Sequence, residues 1–254
     1  MGEEDRVRRL RWLAAVGVLL LLIPGCSEEK SEPAIRAAVT PASPPNLYQE
    51  NGQYTGLDLE LFEGYCAARG RQLEVTAYDW QGMLDAVVSG QAEVAFSGIS
   101  ITATRQAVMD FSQPYMENTW NLMSLQERNI EIADLTALKP YRIGYPRGMA
   151  YTEFIQSDLE PKGFYSLAQV TLYPSYNEVL AALRIGAIDL AFVDGTVASV
   201  YRKQYSFRDS YVFSGFDRFG FAFPKGSALR ADFDQYLIEL GPQGLQAIVD
   251  KWMN

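Results

Sequence analysis

Apolar residues recur at helical spacing in two segments of the chain that can be aligned without gaps, residues 80–96 and 176–192. The apolar positions are Met83, Leu84, Val87 and Val88 in the first segment and Val179, Leu180 and Leu183 in the second. This spacing predicts one amphipathic helix in each segment. Gly90 and Gly186 follow the apolar runs, and glycine at that place favours a left-handed helix end.

A short apolar run follows each predicted helix and predicts a buried strand, at residues 94–96 and again at residues 190–192. The repeated helix–glycine–strand unit predicts two α/β lobes. Ligands of open α/β sheets bind beyond the carboxyl ends of the strands. Those ends are Ser97-Gly98 in the first unit and Val193-Asp194 in the second, so we expect both to line one cleft between the lobes.

The end of the chain adds one more strand and two helices to this pattern. Residues 219–223 alternate aromatic and small side chains, which predicts a strand, and Pro224-Lys225-Gly226 predicts a turn. Residues 231–240 and 243–253 are predicted to be helical. A strand so late in the chain suggests that the chain crosses back to the first lobe.

The N-terminal segment has the pattern of an export signal. Arginines at positions 6, 8, 9 and 11 precede an apolar stretch, residues 13–23, that is too short to span a bilayer. The stretch ends in Pro24-Gly25-Cys26, which resembles a bacterial lipobox. We predict a signal peptide at 1–25, lipidation of Cys26 by fatty acids such as palmitate, and a tether at 26–34. The alternative is an ordinary secretory signal with an incidental cysteine.

Composition excludes several classes of function for the 254-residue chain. Its net charge of −9 argues against binding to nucleic acid, which needs clustered Lys and Arg. The absence of histidine removes Ser-His and Cys-His nucleophile pairs and most zinc sites. With Cys26 lipidated, the remaining cysteine, Cys66, has no partner for an intramolecular disulfide and is expected to be a small buried residue of a helix. No catalytic residue, metal or cofactor is expected.

The segment that follows the first predicted strand carries the candidate binding chemistry. Residues 97–105 include small residues and the hydroxyls of Ser100 and Thr102, and they end in Arg105, whose planar guanidinium suits a carboxylate. Asp194, after the second strand, can accept hydrogen bonds from an ammonium group. Together the two charges are complementary to an α-amino acid. Spacing alone favours equally a surface arginine and an aspartate that caps a helix.

A family resemblance bears on this choice. Residues 79–90, 97–105 and 109–115 closely resemble the polar amino-acid-binding proteins of ABC importers, the bacterial extracellular solute-binding proteins of family 3, which include the glutamine- and histidine-binding proteins. Residues 219–227 and 249–253 look like the C-terminus of the same family. The resemblance extends from about residue 35 to residue 254.

The resemblance implies a binding role for six positions. Arg105 matches the residue that binds the α-carboxylate of the ligand, and Asp194 matches the residue that binds its α-ammonium. Gly98 and Ser100 match positions that offer a carbonyl, an amide or a hydroxyl to the same groups.

The two other positions concern the rest of the ligand. Trp80 matches an aromatic residue that packs on the ligand side chain, although a core tryptophan is the alternative. Met149, with Gly148, matches a second-lobe turn whose amides meet the carboxylate.

The chain departs from the family pattern around the ligand side chain. Thr40 replaces an acid and Ser43 a pocket aromatic, while Met149 replaces a small hydroxyl residue and Arg147 precedes the glycine of that turn. A basic ligand would then meet Arg147 without an acid to balance it. We therefore expect a polar uncharged or acidic ligand side chain rather than a basic one.

The expected fold is α/β, a two-lobed periplasmic-binding-protein fold of type II-like topology with a two-segment hinge near residues 115–120 and 216–220. Lobe 1 is predicted to be discontinuous, at 35–117 and 218–254, and lobe 2 to span 118–217. The resemblance implies that the closed form brings a small amino-acid-like ligand to an ABC permease.

We expect an exported monomer on the periplasmic or cell-surface side, held to the membrane by its lipid anchor, and not an enzyme. A ligand-sensing domain and a non-binding lipoprotein remain alternatives. A periplasmic dehydratase-like enzyme is another, and it would use Glu153 or Glu178 as acid or base.

Overall fold

The computed structural model describes residues 32–253 of the chain. The strands, in chain order, are β1 (Ile35–Val39), β2 (Ala42–Ser43), β3 (Leu47–Glu50), β4 (Gln53–Thr55), β5 (Leu73–Ala77), β6 (Val94–Phe96), β7 (Asp110–Phe111), β8 (Met116–Leu125), β9 (Ile143–Pro146), β10 (Thr171–Tyr173), β11 (Leu190–Asp194), β12 (Phe207–Phe219) and β13 (Ala222–Phe223).

The helices, in the same order, are α1 (Leu57–Arg69), α2 (Trp80–Val88), α3 (Ala103–Val108), α4 (Tyr151–Phe154), α5 (Tyr176–Arg184), α6 (Gly195–Gln204) and α7 (Ala228–Met253). A π-helical turn, Ile155–Leu159, continues α4, and short 3₁₀ turns lie at Gln126–Arg128, Leu135–Leu138 and Leu167–Gln169. None of the helices in the described part of the chain is both long and apolar enough to cross a membrane.

Two five-stranded sheets organise the fold. The first has the order β5-β1-β6-β13-β7, with β1 parallel to β5 and β6, and β13 antiparallel to β6 and β7. The second has the order β10-β9-β11-β8-β12, in which β8 is antiparallel to both of its neighbours. The predicted return of the chain to the first lobe is confirmed, because β13 pairs within the first sheet. The segment between β1 and β5 forms a small third sheet with the order β2-β3-β4.

The repeated unit predicted from the sequence is present in both sheets. The α2 helix begins after Asp79, whose carboxylate accepts the Gly82 N–H at 2.7 Å, and it leads to β6. The α5 helix begins after Ser175 and leads to β11. Gly90 and Gly186 follow the helices with φ of 75° and 71°, a left-handed conformation that glycine adopts without steric cost.

Strands β8 and β12 connect the two sheets. They pair with each other in the second sheet as far as Phe213 of β12. After a register shift, pairing resumes where Asn118 lies opposite Asp217 and ends where Met116 lies opposite Phe219. Phe219 also bridges to Ser100, which follows β6 of the first sheet. The two-lobed fold class with a two-segment hinge is thereby confirmed. The exact lobe boundaries, 117/118 and 217/218, stay a prediction.

Near the C-terminus the predicted strand differs in detail, whereas the two predicted helices are present. The predicted strand at 219–223 is interrupted, because the chain leaves the second sheet at Phe219 and enters the first at Ala222. Gly220 lies at this crossing, where a Cβ would come within 2.9 Å of Ile101 Cδ1. The two predicted helices, 231–240 and 243–253, are present as the two parts of α7, which Gly241 separates in a non-helical conformation (φ 70°, ψ 167°) before Pro242. Proline cannot donate the helical hydrogen bond, which accounts for the break.

Aromatic side chains fill the core of the first lobe. Phe62 stacks on Phe96 and Phe221 with ring centroids 5.5 and 5.8 Å apart, and Phe233 closes the group from α7. All four are fully buried, and such side chains contribute about 1.5–3 kcal/mol each. Cys66 lies in the same cluster with its thiol free, as predicted for a core position. This packing fixes β6 and therefore the segment that follows it.

Candidate ligand-binding site

The candidate site lies where β6 and β11 end. After β6 the chain turns through residues 97–102 into α3, and the Thr102 hydroxyl caps that helix by accepting the Arg105 N–H at 3.3 Å. This cap places the Arg105 side chain on the first turn of α3. Asp194 is the last residue of β11 and stands directly before α6.

Arg105 is buried and bridges the two lobes. Its side chain is 8% exposed, which excludes the surface-arginine alternative. One terminal nitrogen donates to the Ser100 carbonyl at 2.8 Å, and the other donates to the Gly148 carbonyl of the second lobe at 3.1 Å. A guanidinium has five N–H donors, so these two bonds leave donors for a ligand carboxylate.

Trp80 meets the same carbonyl from the other side. Its indole N–H donates to the Gly148 oxygen at 3.1 Å, and the Arg105 guanidinium lies 5.5 Å from the centroid of its ring. Gly148 has φ of 81°, and a Cβ there would come within 2.8 Å of the indole. A glycine is therefore required for this close approach. Trp80 is buried at the contact between the lobes.

Asp194 turns its side chain away from the helix that it precedes. It stands at the N-cap position of α6 but makes no side-chain capping bond, which excludes the helix-capping alternative. Its carboxylate accepts from the hydroxyls of Tyr151 at 2.8 Å and Tyr176 at 2.6 Å, and from the Asn118 amide at 3.0 Å. Asp194 is 5% exposed, so these donors replace water around it.

Asp217 is a second buried carboxylate at the site, and the sequence analysis did not select it. It lies on β12 opposite Asn118 and accepts from the Asn118 amide at 2.6 Å and from the Trp120 indole at 2.7 Å. The Ser100 hydroxyl also donates to it. The single amide nitrogen of Asn118 thus links Asp217 to Asp194.

The electrostatics of these groups follow from burial. Loss of water raises the pKa of Asp194 to about 7, and the neighbouring Asp217 carboxylate adds to the rise. Burial likewise raises the pKa of Asp217, although its hydrogen bonds and Arg105 partly offset the effect. Burial lowers the pKa of the Arg105 guanidinium, while Asp217 and Asp194 oppose this change. Arginine nevertheless stays charged at neutral pH.

Gly98 is held by a third buried carboxylate. Its N–H donates to Asp58 at 2.7 Å, and Asp58 also accepts from the Tyr115 hydroxyl at 2.6 Å. A Cβ on Gly98, whose φ is 69°, would lie 3.0 Å from Asn46 Cγ. The resemblance implied that Gly98 offers polar backbone atoms to a ligand. In this structure its amide is taken by Asp58.

Met149 lies beside the acidic group and in the wall of a groove. It is 7% exposed, and the Tyr176 hydroxyl points to its sulfur at 3.8 Å. The groove has a volume of about 520 Å³ and takes its walls from both lobes, with Arg105 and Met149 among its lining residues. Arg147, which the sequence analysis expected close to the ligand, lines this groove with an exposed side chain.

A family comparison supports the interpretation of this site. Residues 35–254 match the model of the bacterial extracellular solute-binding proteins, family 3. The chain belongs to this family. This protein is therefore an extracellular solute-binding protein, as the sequence resemblance indicated.

Individual relatives and solved structures are similar to this solute-binding protein over most of its length. The arginine-binding extracellular protein ArtP of Bacillus subtilis is 26% identical over 255 residues, which is 95% of this chain and 97% of the relative. An ancestral arginine-binding protein solved with arginine has a TM-score of 0.78 and 26% identity, with 88% of this chain and 99% of that one covered. AncCDT-1, an ancestral amino acid-binding protein and a precursor of cyclohexadienyl dehydratase, shares the fold, with a TM-score of 0.74, 23% identity, and 87% and 95% coverage.

The structure brings five of the six predicted ligand positions of this solute-binding protein close together. Arg105 bonds the Ser100 carbonyl, lies over Trp80, and carries an electrostatic interaction with Asp194, while Met149 contacts Tyr176. The sixth, Gly98, supports the turn. Of the two acids considered for catalysis, Glu153 lines the groove, whereas Glu178 is exposed and accepts from Ser175 at the start of α5.

The sequence analysis missed Asp217, one of the two carboxylates, and three residues that donate hydrogen bonds to the pair. These three are Asn118, Tyr151 and Tyr176. Tyr176 could have been found, because it aligns with Trp80 in the repeated unit and begins its helix in the same way. Among residues 32–253 no group of three or more acidic or cysteine side chains could hold a metal ion.

Proposed function

We propose that this solute-binding protein binds the head group of an amino acid between Arg105 and Asp194. The observation that carries this proposal is a buried cation on one lobe and a buried anion on the other, with Arg105 in the segment that follows β6 and Asp194 at the end of β11. Arg105 holds the α-carboxylate through its free N–H donors, and Asp194 accepts from the α-ammonium. Trp80 packs against the ligand beside Arg105.

Closure of the lobes follows from this arrangement. Residues of both lobes contact each other at the Gly148 carbonyl, which accepts from both Arg105 and Trp80. A ligand that bridges Arg105 and Asp194 adds contacts that exist only in the closed form. Because a ligand shifts an equilibrium by its differential affinity for the two states, bound amino acid favours closure.

The protein in this proposal passes its ligand to the permease of an ABC importer. Family membership and the amino-acid-binding relatives support this role. The closed form would be the one that the permease recognises, and we expect the binding protein to act as a monomer.

A thermal-shift screen of the twenty amino acids, followed by calorimetry, tests the proposed function. We expect at least one amino acid to raise the melting temperature, since a ligand that binds only the folded state stabilises it. Arg105→Ala and Asp194→Ala should remove that shift, while Glu63→Ala, an exposed change on α1, should keep it. No response to any amino acid would contradict the proposal.

The predicted preference for a polar or acidic side chain stays a prediction. One of its supports has changed, because Arg147 is exposed to water rather than enclosed in the cleft, so it repels a basic ligand only weakly. Thr40, the other support, is buried and donates to the Tyr78 carbonyl at 3.3 Å. The two buried carboxylates of the site, Asp194 and Asp217, favour the opposite order.

We also propose that the protein is exported and held to the membrane through lipid on Cys26. The signal at 1–25 and the lipobox-like Pro24-Gly25-Cys26 support this proposal; they lie outside the described residues. Because two or more acyl chains bind a bilayer stably, Cys26→Ser should move the protein from the membrane fraction to the soluble fraction. Membrane partitioning that is unchanged in Cys26→Ser would contradict lipidation.

An enzymatic role is the second candidate, and Glu153 is the observation that favours it. This half-buried carboxylate lines the groove next to Arg105, and AncCDT-1 combines the same fold with a place in the ancestry of a dehydratase. Incubation with prephenate-like substrates decides between the two roles. Turnover that disappears in Glu153→Gln would support the enzyme, whereas binding without turnover would support transport.

A further inference from the structure

Asp217 gives the cleft more negative charge than an amino-acid head group requires. The Asn118 amide nitrogen lies 3.0 Å from a carboxylate oxygen of Asp194 and 2.6 Å from one of Asp217, so the two acids are close neighbours. Both are buried, at 5% and 4% exposure. Like charges this close and this poorly hydrated oppose each other's ionisation.

Most hydrogen-bond donors around the pair carry no charge. Asp194 accepts from two tyrosine hydroxyls and an amide, and Asp217 accepts from an amide, an indole and a serine hydroxyl. The ionisable groups that act on the pair are Arg105 and the tyrosines Tyr115, Tyr151 and Tyr176, while Glu153 acts on Arg105. Arg105 is the cation among these groups.

A charge balance follows from these contacts. With both acids ionised, Arg105 cancels one of the two negative charges. A zwitterionic amino acid adds no net charge, so it leaves one buried negative charge uncompensated. Such a charge is unfavourable unless it takes up a proton or meets a second cation.

We propose that Asp217 is a specificity-determining residue that selects amino acids of net positive charge. This inference rests on the proposed binding of an amino acid between Arg105 and Asp194. The α-ammonium and the additional cationic group of such a ligand together balance Asp194 and Asp217, with the α-carboxylate at Arg105. A zwitterionic ligand binds only with a proton retained on one of the two acids.

L-Arginine and L-citrulline form a matched pair of probes, because citrulline has nearly the shape of arginine and lacks its side-chain charge. By calorimetry at pH 8 we expect arginine to bind at least about tenfold more tightly than citrulline. The affinity for arginine should rise between pH 6 and pH 8, because the ligand displaces the proton that the two acids share at low pH. Citrulline should show no such rise.

Proton counting gives a second readout that a merely structural role for Asp217 would not change. Titrations at pH 6 in two buffers of different ionisation enthalpy measure the protons passed to the buffer. Arginine should release close to one proton per ligand bound, and citrulline close to none. Because these titrations use the wild-type protein, they decide the proposal even if a variant does not fold.

Asp217→Asn keeps the shape of the side chain and removes its charge. The arginine-to-citrulline ratio should fall to about threefold or less, and proton release should be lost. Asp209→Asn is the matched control on the same strand, where Asp209 pairs with Arg202 instead, and it should keep the wild-type ratio.

Three results would overturn the proposal. These are a zwitterionic amino acid that binds as tightly as arginine or lysine at pH 8, arginine binding without proton release, and an unchanged ratio in folded Asp217→Asn. Each of them leaves the proposed function standing, since an amino acid still binds. Absence of binding by any amino acid would instead contradict the proposed function itself, and with it this inference.

Discussion

Asp58 and Asp194 are both buried carboxylates bonded to tyrosine hydroxyls, but their surroundings differ. Asp58 accepts hydrogen bonds from the main-chain N–H of Gly98 and from the Tyr115 hydroxyl, and both donors belong to the first lobe. Asp194 accepts from side chains alone and has Asp217 beside it. Burial raises both pKa values, to about 6 for Asp58 and about 7 for Asp194.

The difference separates a structural carboxylate from a binding one. The Gly98 N–H is fixed by the backbone, so Asp58 holds the turn that leads to Arg105 and has no reason to exchange its partners. The hydroxyls around Asp194 can rotate, and Asp194 stands beside a second buried carboxylate, Asp217, and within the field of Arg105. A buried, hydrogen-bonded acid is therefore a poor indicator of a ligand site unless other buried charged groups stand beside it, as Asp217 and Arg105 do at Asp194.

The largest expected effect is a loss of ligand affinity on substitution of Asp194, the binding carboxylate. Asp194→Ala, like Arg105→Ala, should weaken binding by about 2–5 kcal/mol, because a ligand charge is left buried without a partner. Calorimetry with the amino acid found in the screen measures this loss. Near-wild-type affinity in either variant, with the fold intact by circular dichroism, would show that the head group lies elsewhere.

Stability against urea should show the opposite order, with a larger loss on substitution of Asp58 than on substitution of Asp194. Asp58→Ala should lower the free energy of unfolding by about 1–3 kcal/mol, since the Gly98 N–H is then buried without an acceptor. The comparison is made at pH 4, where the raised pKa values keep both acids protonated in the folded state. There Asp194→Asn should change the free energy of unfolding by about 1 kcal/mol or less, because the tyrosine hydroxyls can reorient around the amide. Glu63→Ala serves as the exposed control on α1. Equal losses in both variants would contradict the distinction.

The pH dependence of stability tests the raised pKa values directly. An acid whose pKa is higher in the folded state binds protons more tightly there, so its contribution is present at low pH and lost as pH rises. We expect a loss of up to about 1.4 kcal/mol per pH unit from each acid, toward pH 6 for Asp58 and toward pH 7 for Asp194. Asp194→Asn should flatten the wild-type curve mainly between pH 4 and 7, and an unaltered curve would refute the raised pKa.

The smallest effect concerns Trp80. In Trp80→Phe the Gly148 carbonyl loses the indole donor but keeps Arg105, so affinity should fall by about 1 kcal/mol. Tryptophan emission that shifts on ligand addition should lose most of its change in this variant. A change that persists would come from Trp120 at Asp217 or from Trp252 on α7, and would remove Trp80 from the cleft.

Much of the fold could be predicted from the sequence because local patterns determine it. The repeated helix–glycine–strand units, their left-handed glycines and the late return of the chain all follow from apolar spacing and helix termination, and each is present. The break at Gly220 was missed. It arises where the chain passes between sheets, a tertiary constraint that the alternating pattern of residues 219–223 does not reveal.

The charged ends of the site were also visible in the sequence, because Arg105 ends the segment that follows the first repeated strand and Asp194 ends the second strand. Asp217 and Asn118 were not, since they face each other only through the pairing of β8 with β12. Tyr151 carried no sequence signal, whereas Tyr176 did through its alignment with Trp80. Neighbours supplied by long-range pairing are thus the part of the site that sequence spacing leaves out.

The most direct test of the central claim compares one amino acid with its analogues in calorimetry. The wild-type protein should bind the amino acid far more tightly than the des-amino analogue, and Asp194→Ala should lose that discrimination while Arg105→Ala keeps it. The decarboxylated analogue should show the reverse pattern. If either substitution weakens the amino acid and both analogues equally, Arg105 and Asp194 do not divide the head group between them, and the account is wrong.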